Sequence, residues 1–104
     1  MDTIININIR DIDEYIGNDK YIILDVRNET EYKRNHIDGA INIPYRQIEH
    51  YEVELNRNKT YVIYCEHGGV SIMAAKKLFR RGYKVINTIG GLAAYEKQKL
   101  KWNK

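Results

Sequence analysis

Cysteine is nearly absent from this chain: Cys65 is the single one among 104 residues. A lone thiol cannot close an internal disulfide, so no disulfide framework is expected and nothing points to an oxidising compartment. Proline is equally scarce, and no proline-rich, serine-rich or repetitive tract divides the sequence, so one domain over residues 1–104 is expected. No apolar run nears the roughly 20 residues that cross a bilayer. The opening MDTIININIR lacks the basic start and continuous apolar stretch of a signal peptide. The expectation is a cytoplasmic protein with no membrane role. A block of one charge sign is also missing. The 17 Lys and Arg are interleaved with 14 Asp and Glu for a net charge of +3, which is not the basic stripe that phosphate backbones require. No nucleic-acid partner is expected. The nine tyrosines could stack on bases, but most sit beside apolar residues, where a core role suits them.

What is present is the balance of a packed protein, with 43% hydrophobic and 30% charged residues. Strands are expected at TIINI near the start, at YIILDV (21–26), AINIP (40–44), TYVIYC (60–65) and YKVINTI (83–89), from their β-branched and aromatic content. The middle strands are continuously apolar, as strands covered on both faces are. Helical patterns lie between them. Ile72, Ala75, Leu78 and Phe79 share one helical face, with Ser71 a suitable N-cap and Gly82 placed for a left-handed C-terminal residue. Shorter helices are expected at Asp11–Ile16, Thr30–Arg34, Tyr45–Leu55 and Leu92–Leu100. The alternation predicts an α/β fold with a central, mostly parallel sheet and helices on both faces. Ligands in such folds gather at the carboxyl ends of strands, where Cys65 is placed.

The stretch CEHGGVS, from Cys65 to Ser71, carries the chemistry. Leaving a strand at Cys65 and entering a helix at Ser71, with two adjacent glycines between, the loop can curl its backbone N–H groups inward as a nest for an anion. A thiolate at the centre of that nest would be an activated nucleophile. On the loop alone a small buried hydrophobe is an equal reading of Cys65. A metal pair of Cys65 and His67 finds no partners, because His36 and His50 lie far off in sequence and three or four converging ligands are needed, so no metal is expected. A triad through Ser71 is weaker, since an N-cap role explains that serine.

The order LDVRNETEYKRNHIDGAINIP (24–44), VIYCEHGGVS, AAKKLFRRGY and then Gly90 and Gly91 resembles a rhodanese-like domain of the single-domain type, from Leu24 to Tyr95. The resemblance implies an α/β fold around a parallel sheet and sulfurtransferase chemistry without a cofactor. Cys65 would attack a sulfur donor, a small molecule or a protein persulfide, and carry the sulfur as its own persulfide until a thiol or cyanide accepts it. The substrate loop would comprise Glu66, His67, Gly68, Gly69, Val70 and Ser71, with backbone N–H groups of Cys65 to Val70 cradling the persulfide. Asp25 and Arg27 read as a structural ion pair or turn, Glu31 as a partner for Arg27, His36 as a histidine bonded to backbone, and Gly39 as a residue of unusual backbone angle.

The sequence departs from the family pattern in its loop. Relatives that use thiosulfate commonly show CRxGxRS, whereas Glu66 and Val70 stand at the two arginine positions here. A charge-assisted hydrogen bond is worth roughly 1.5–3 kcal/mol, so losing one predicts at least about tenfold weaker binding of the thiosulfate dianion. Glu66 would add repulsion if it faced the pocket, and a persulfide donor is expected to be preferred. Val70 also disfavours phosphatase or arsenate reductase chemistry, which needs an arginine clamp at the loop's end. Tyr95 stands where many relatives carry Trp, with packing expected to survive, and Asn35 replaces a common glycine that it could mimic in a left-handed conformation. An enzyme is the first expectation. A fold-keeping binding or sulfur-relay module without turnover is the alternative.

Overall fold

The computed structural model describes residues 3–50 and 54–102. Five strands, β1 (Ile5–Asn8), β2 (Tyr21–Asp25), β3 (Ile41–Asn42), β4 (Thr60–Tyr64) and β5 (Lys84–Ile89), form one sheet in the order β1-β5-β4-β2-β3. Every pairing is parallel. The predicted strands are all present, four of them shortened, while the first starts two residues later and runs one residue further than TIINI. The register sets Asp25 at the end of β2 opposite Tyr64 at the end of β4, and opposite Asn42 on β3.

Strand alternation divides the core into two layers. Leu24, Tyr61, Ile63 and Val85 face α2 (Tyr45–Glu49) and α3 (Gly69–Arg80), through Ile48, Ala74, Ala75 and Leu78. Ile23, Val62, Tyr64 and Ile86 face the opposite way, toward Ile9 and Ile12 of a 3₁₀ helix (Ile9–Tyr15), Tyr32 of α1 (Glu29–Arg34), and Leu92 of α4 (Gly91–Trp102). Helices therefore cover both faces, as expected. Three tyrosines, Tyr61, Tyr64 and Tyr83, are core residues rather than exposed platforms.

Several local expectations need correction. The first helix is 3₁₀ and starts at Ile9, with the Asn8 side chain accepting from the N–H of Arg10. α2 ends at Glu49, not Leu55, with a turn at His50; residues 51–53 of that expected helix lie outside the described residues. On α3 the buried stripe is Ser71, Ala74, Ala75 and Leu78, one position round from the predicted face, and Ile72 and Phe79 sit at its edge. Gly82, φ 89°, is left-handed as predicted, and its N–H closes on the Phe79 carbonyl. Gly39 likewise has φ 79°. Asn35 does not need glycine's freedom: its φ of −167° is ordinary extended backbone.

Along the sheet, chain connections leave β2 toward β3 on one side and β4 toward β5 on the other. The crevice between the ends of β2 and β4 is the point where strand order reverses, the place such sheets hold ligands. Cys65 follows β4 directly at that crevice.

Candidate active site

A pocket of about 360 Å³ opens at the crevice, lined by Val26, Arg27, Asn28 and Glu31 from the β2 side and by Cys65, Glu66, His67, Gly69 and Val70 from the β4 side. Cys65 is 3% exposed and packs with Leu24, Val26 and Ala74, yet it lines this pocket. The two readings of the sequence thus coincide in part: the residue is buried by its strand and still faces a cavity.

Its sulfur meets backbone donors. The N–H of Gly68 approaches Sγ at 3.0 Å and that of Ser71 at 3.3 Å. Gly68 precedes α3 in the left-handed region, φ 103°, which turns its N–H back to the sulfur and lets the helix begin at Gly69. Ser71 is not the N-cap. It lies inside the first turn, its hydroxyl donating to the Gly68 carbonyl at 3.3 Å while its N–H goes to sulfur. Cys65 thus accepts from a first-turn N–H of α3, as a capping side chain would, and the positive end of a 12-residue helix points at Sγ. Negative charge developing on that sulfur is favoured by both donors and helix.

The back of the loop is held by α4. The N–H of Leu92 donates to the Cys65 carbonyl at 2.9 Å and that of Ala93 to the Glu66 carbonyl at 3.1 Å. Such closeness requires glycine at the helix entry: a Cβ on Gly91, φ 71°, would lie 2.2 Å from the Glu66 carbonyl oxygen. Gly90 and Gly91 were read in the sequence as parts of a motif. Their packing role follows only when α4 and the loop are brought together.

Beneath the pocket lies a buried polar network. Arg27, 6% exposed, is gripped by Asp25, whose Oδ2 lies 2.8 Å from Nη2 and 3.1 Å from Nε. Asp25 Oδ2 also accepts from the Tyr64 hydroxyl at 2.6 Å, and that hydroxyl accepts the Ile37 N–H at 3.1 Å. Burial would push the Arg27 guanidinium down, but the hydrogen bonds and charge of Asp25, joined by Glu66, hold it above its ordinary value. Burial, then the bond to Asp25, raises the Tyr64 phenol well above its usual range. The Asp25–Arg27 pair is the structural ion pair expected.

Its third partner was not. Glu31 lines the pocket but forms no ion pair with Arg27; Glu66 does, its Oε1 lying 3.0 Å from Nη1. Glu31 is instead drawn into the capping of α1, where its N–H donates to the Asn28 side chain at 2.8 Å. The ends of β2 and β4 lie side by side, so the residue after Cys65 is brought over the guanidinium by the loop. His36 bonds to backbone as expected, with Nδ1 2.7 Å from the Tyr32 carbonyl and its ring stacked on Tyr32. His67 and Val70 are exposed at the pocket's rim. Tyr95 packs against the second core layer and donates to Asp13 at 2.7 Å. Among the described residues, no cluster of three metal-ligating side chains exists, and no helix is long and apolar enough to cross a membrane.

The cysteine-bearing loop lies at the switch point of a parallel five-stranded sheet, and the chain belongs to the rhodanese-like domain family, whose model matches residues 8–98. A putative sulfur carrier protein of Bacillus subtilis, YrkF, is 42% identical over 71 residues, covering 67% of this chain and 38% of that protein. The thiosulfate sulfurtransferase GlpE of Coxiella burnetii is 30% identical over 76 residues, covering 72% and 71% of the two chains. A crystal structure of a rhodanese-related protein from Thermoplasma volcanium superimposes with a TM-score of 0.75 at 29% identity, covering 93% of each chain. Against the relatives at 40% identity or more, the match spans only 14–38% of their length.

Proposed function

We propose that this protein, acting as one domain over residues 1–104, transfers sulfane sulfur through a persulfide on Cys65. The observation that carries this reading is the sulfur itself, held in a pocket under two backbone N–H groups and a helix N-terminus. The Cys65 thiolate attacks the outer sulfur of a donor persulfide, R–S–SH. The new S–S bond forms at Cys65 Sγ as the donor S–S bond breaks, its electron pair leaving with the donor thiolate. An acceptor thiolate or cyanide then attacks the outer sulfur and regenerates Cys65 as thiolate. The donors above hold Sγ in place during both steps. The names of the relatives, sulfur carrier and thiosulfate sulfurtransferase, support a role in sulfur transfer or relay with a thiol-bearing partner.

The test is sulfur loading read by intact mass spectrometry after the reduced protein meets thiosulfate or a small persulfide. One added sulfur in the unaltered protein, absent from Cys65→Ser and discharged by cyanide, is the expected result. No loading from either of the two donors overturns turnover. The second reading, a relay module without turnover on small molecules, is favoured by the engagement of Arg27 with Glu66, since no other lysine or arginine among the described residues lines the pocket. It predicts loading only from a docked protein persulfide.

A further inference from the structure

Arg27 is the sole lysine or arginine among the described residues that line the Cys65 pocket, against two carboxylates, Glu31 and Glu66. Its Nε and Nη2 are taken from behind by Asp25 and the Asn35 carbonyl. Nη1 is the nitrogen left for the pocket side, and Glu66 Oε1 occupies it at 3.0 Å. The two partners differ in exposure. The Arg27 side chain is 3% exposed and tied into the core, whereas that of Glu66 is 36% exposed and meets the guanidinium from the pocket side. An anionic donor that is to reach Arg27 must therefore displace a resident carboxylate, and must do so while Asp25 already balances the guanidinium charge.

We propose that Glu66 is a specificity-determining residue that withholds Arg27 from dianionic sulfur donors and selects persulfides of thiols with neutral or positive charge. The proposal rests on Cys65 carrying the sulfur. With thiosulfate, the Cys65–sulfur bond forms as the S–S bond of thiosulfate breaks and sulfite leaves with the electron pair, so the sulfonate end is what needs a cation. With cysteamine persulfide, cysteamine thiolate leaves and no second anionic group has to be housed. Replacing Glu66 by Gln leaves at most a neutral amide oxygen on Arg27 Nη1, which a sulfonate displaces more readily than a carboxylate, and replacing it by Ala removes that acceptor altogether.

The experiment compares single-turnover sulfur loading of the unaltered protein, Glu66→Gln and Glu66→Ala, each with thiosulfate and with cysteamine persulfide. The ratio of the thiosulfate rate to the cysteamine persulfide rate should rise about tenfold or more in both variants, the scale of one charge-assisted hydrogen bond. In a Glu66→Gln protein that also carries Arg27→Lys, and is shown to be folded by circular dichroism, the rise should largely disappear, because lysine lacks the planar fork. A ratio that stays put in both single variants while cysteamine persulfide loads them overturns the inference and leaves the sulfurtransferase reading standing. A ratio that rises equally with Lys at position 27 overturns the role of Arg27. No loading of the folded, unaltered protein from either donor overturns the reading and the inference together.

Discussion

Gly91→Ala isolates the contact between α4 and the Cys65 loop. At φ 71° a non-glycine residue costs about 1–2 kcal/mol in backbone strain. The added methyl would lie 2.2 Å from the Glu66 carbonyl oxygen and 2.6 Å from the His67 nitrogen. These are backbone atoms, which cannot rotate aside, so the helix start must back away from the loop. The two hydrogen bonds spanning the gap, Leu92 to Cys65 and Ala93 to Glu66, would be stretched or lost. At about 1 kcal/mol each, the expected total is about 3–4 kcal/mol, a large share of the roughly 5–15 kcal/mol that holds a domain together. Gly39→Ala is the matched control: its φ is 79°, but nothing lies within 4 Å of the new methyl, so only the strain is paid. Urea unfolding midpoints of both variants should differ by about 2 kcal/mol with Gly91→Ala the weaker. Its sulfur loading should also slow, because the carbonyl of Cys65 moves with the loop. Equal midpoints and equal loading would refute the claim that α4 positions the site.

Tyr64→Phe tests the buried network by pH. The folded phenol is raised by burial and then by Asp25, so above the ordinary value of 10.0 the unfolded chain ionises while the folded one keeps its proton. Stability from this group is therefore intact below pH 10 and lost as pH rises, with a slope of up to about 1.4 kcal/mol per pH unit. Urea midpoints taken on either side of pH 10 should fall less steeply in the phenylalanine variant, and parallel slopes would contradict the raised phenol. Asp25→Asn should cost about 3 kcal/mol or more by leaving the Arg27 guanidinium buried with only Glu66 and backbone acceptors. A thermal or urea midpoint within about 0.5 kcal/mol of the unaltered protein would show that the pair does not hold this end of the sheet.

Local residue chemistry determined much of this protein. Continuous apolar runs ending at Asp25 and Tyr64 announce strands buried on both faces, and the glycine pair after Cys65 announces a turn into a helix. Their order identified the family and singled out Cys65 as the residue proposed to carry the sulfur. Those signals are local, so they survive without knowledge of what packs where. The tertiary structure decided what depends on distant residues meeting. Ser71 gave up the capping position because a sulfur six residues earlier receives its N–H. Arg27 took Glu66 rather than Glu31, since a parallel sheet places the ends of β2 and β4 side by side. Gly91 is needed because α4, which follows β5, packs back against the Glu66 backbone. No periodicity or spacing encodes these encounters: side chains and carbonyls choose partners by distance and direction in space, and the sheet supplies both.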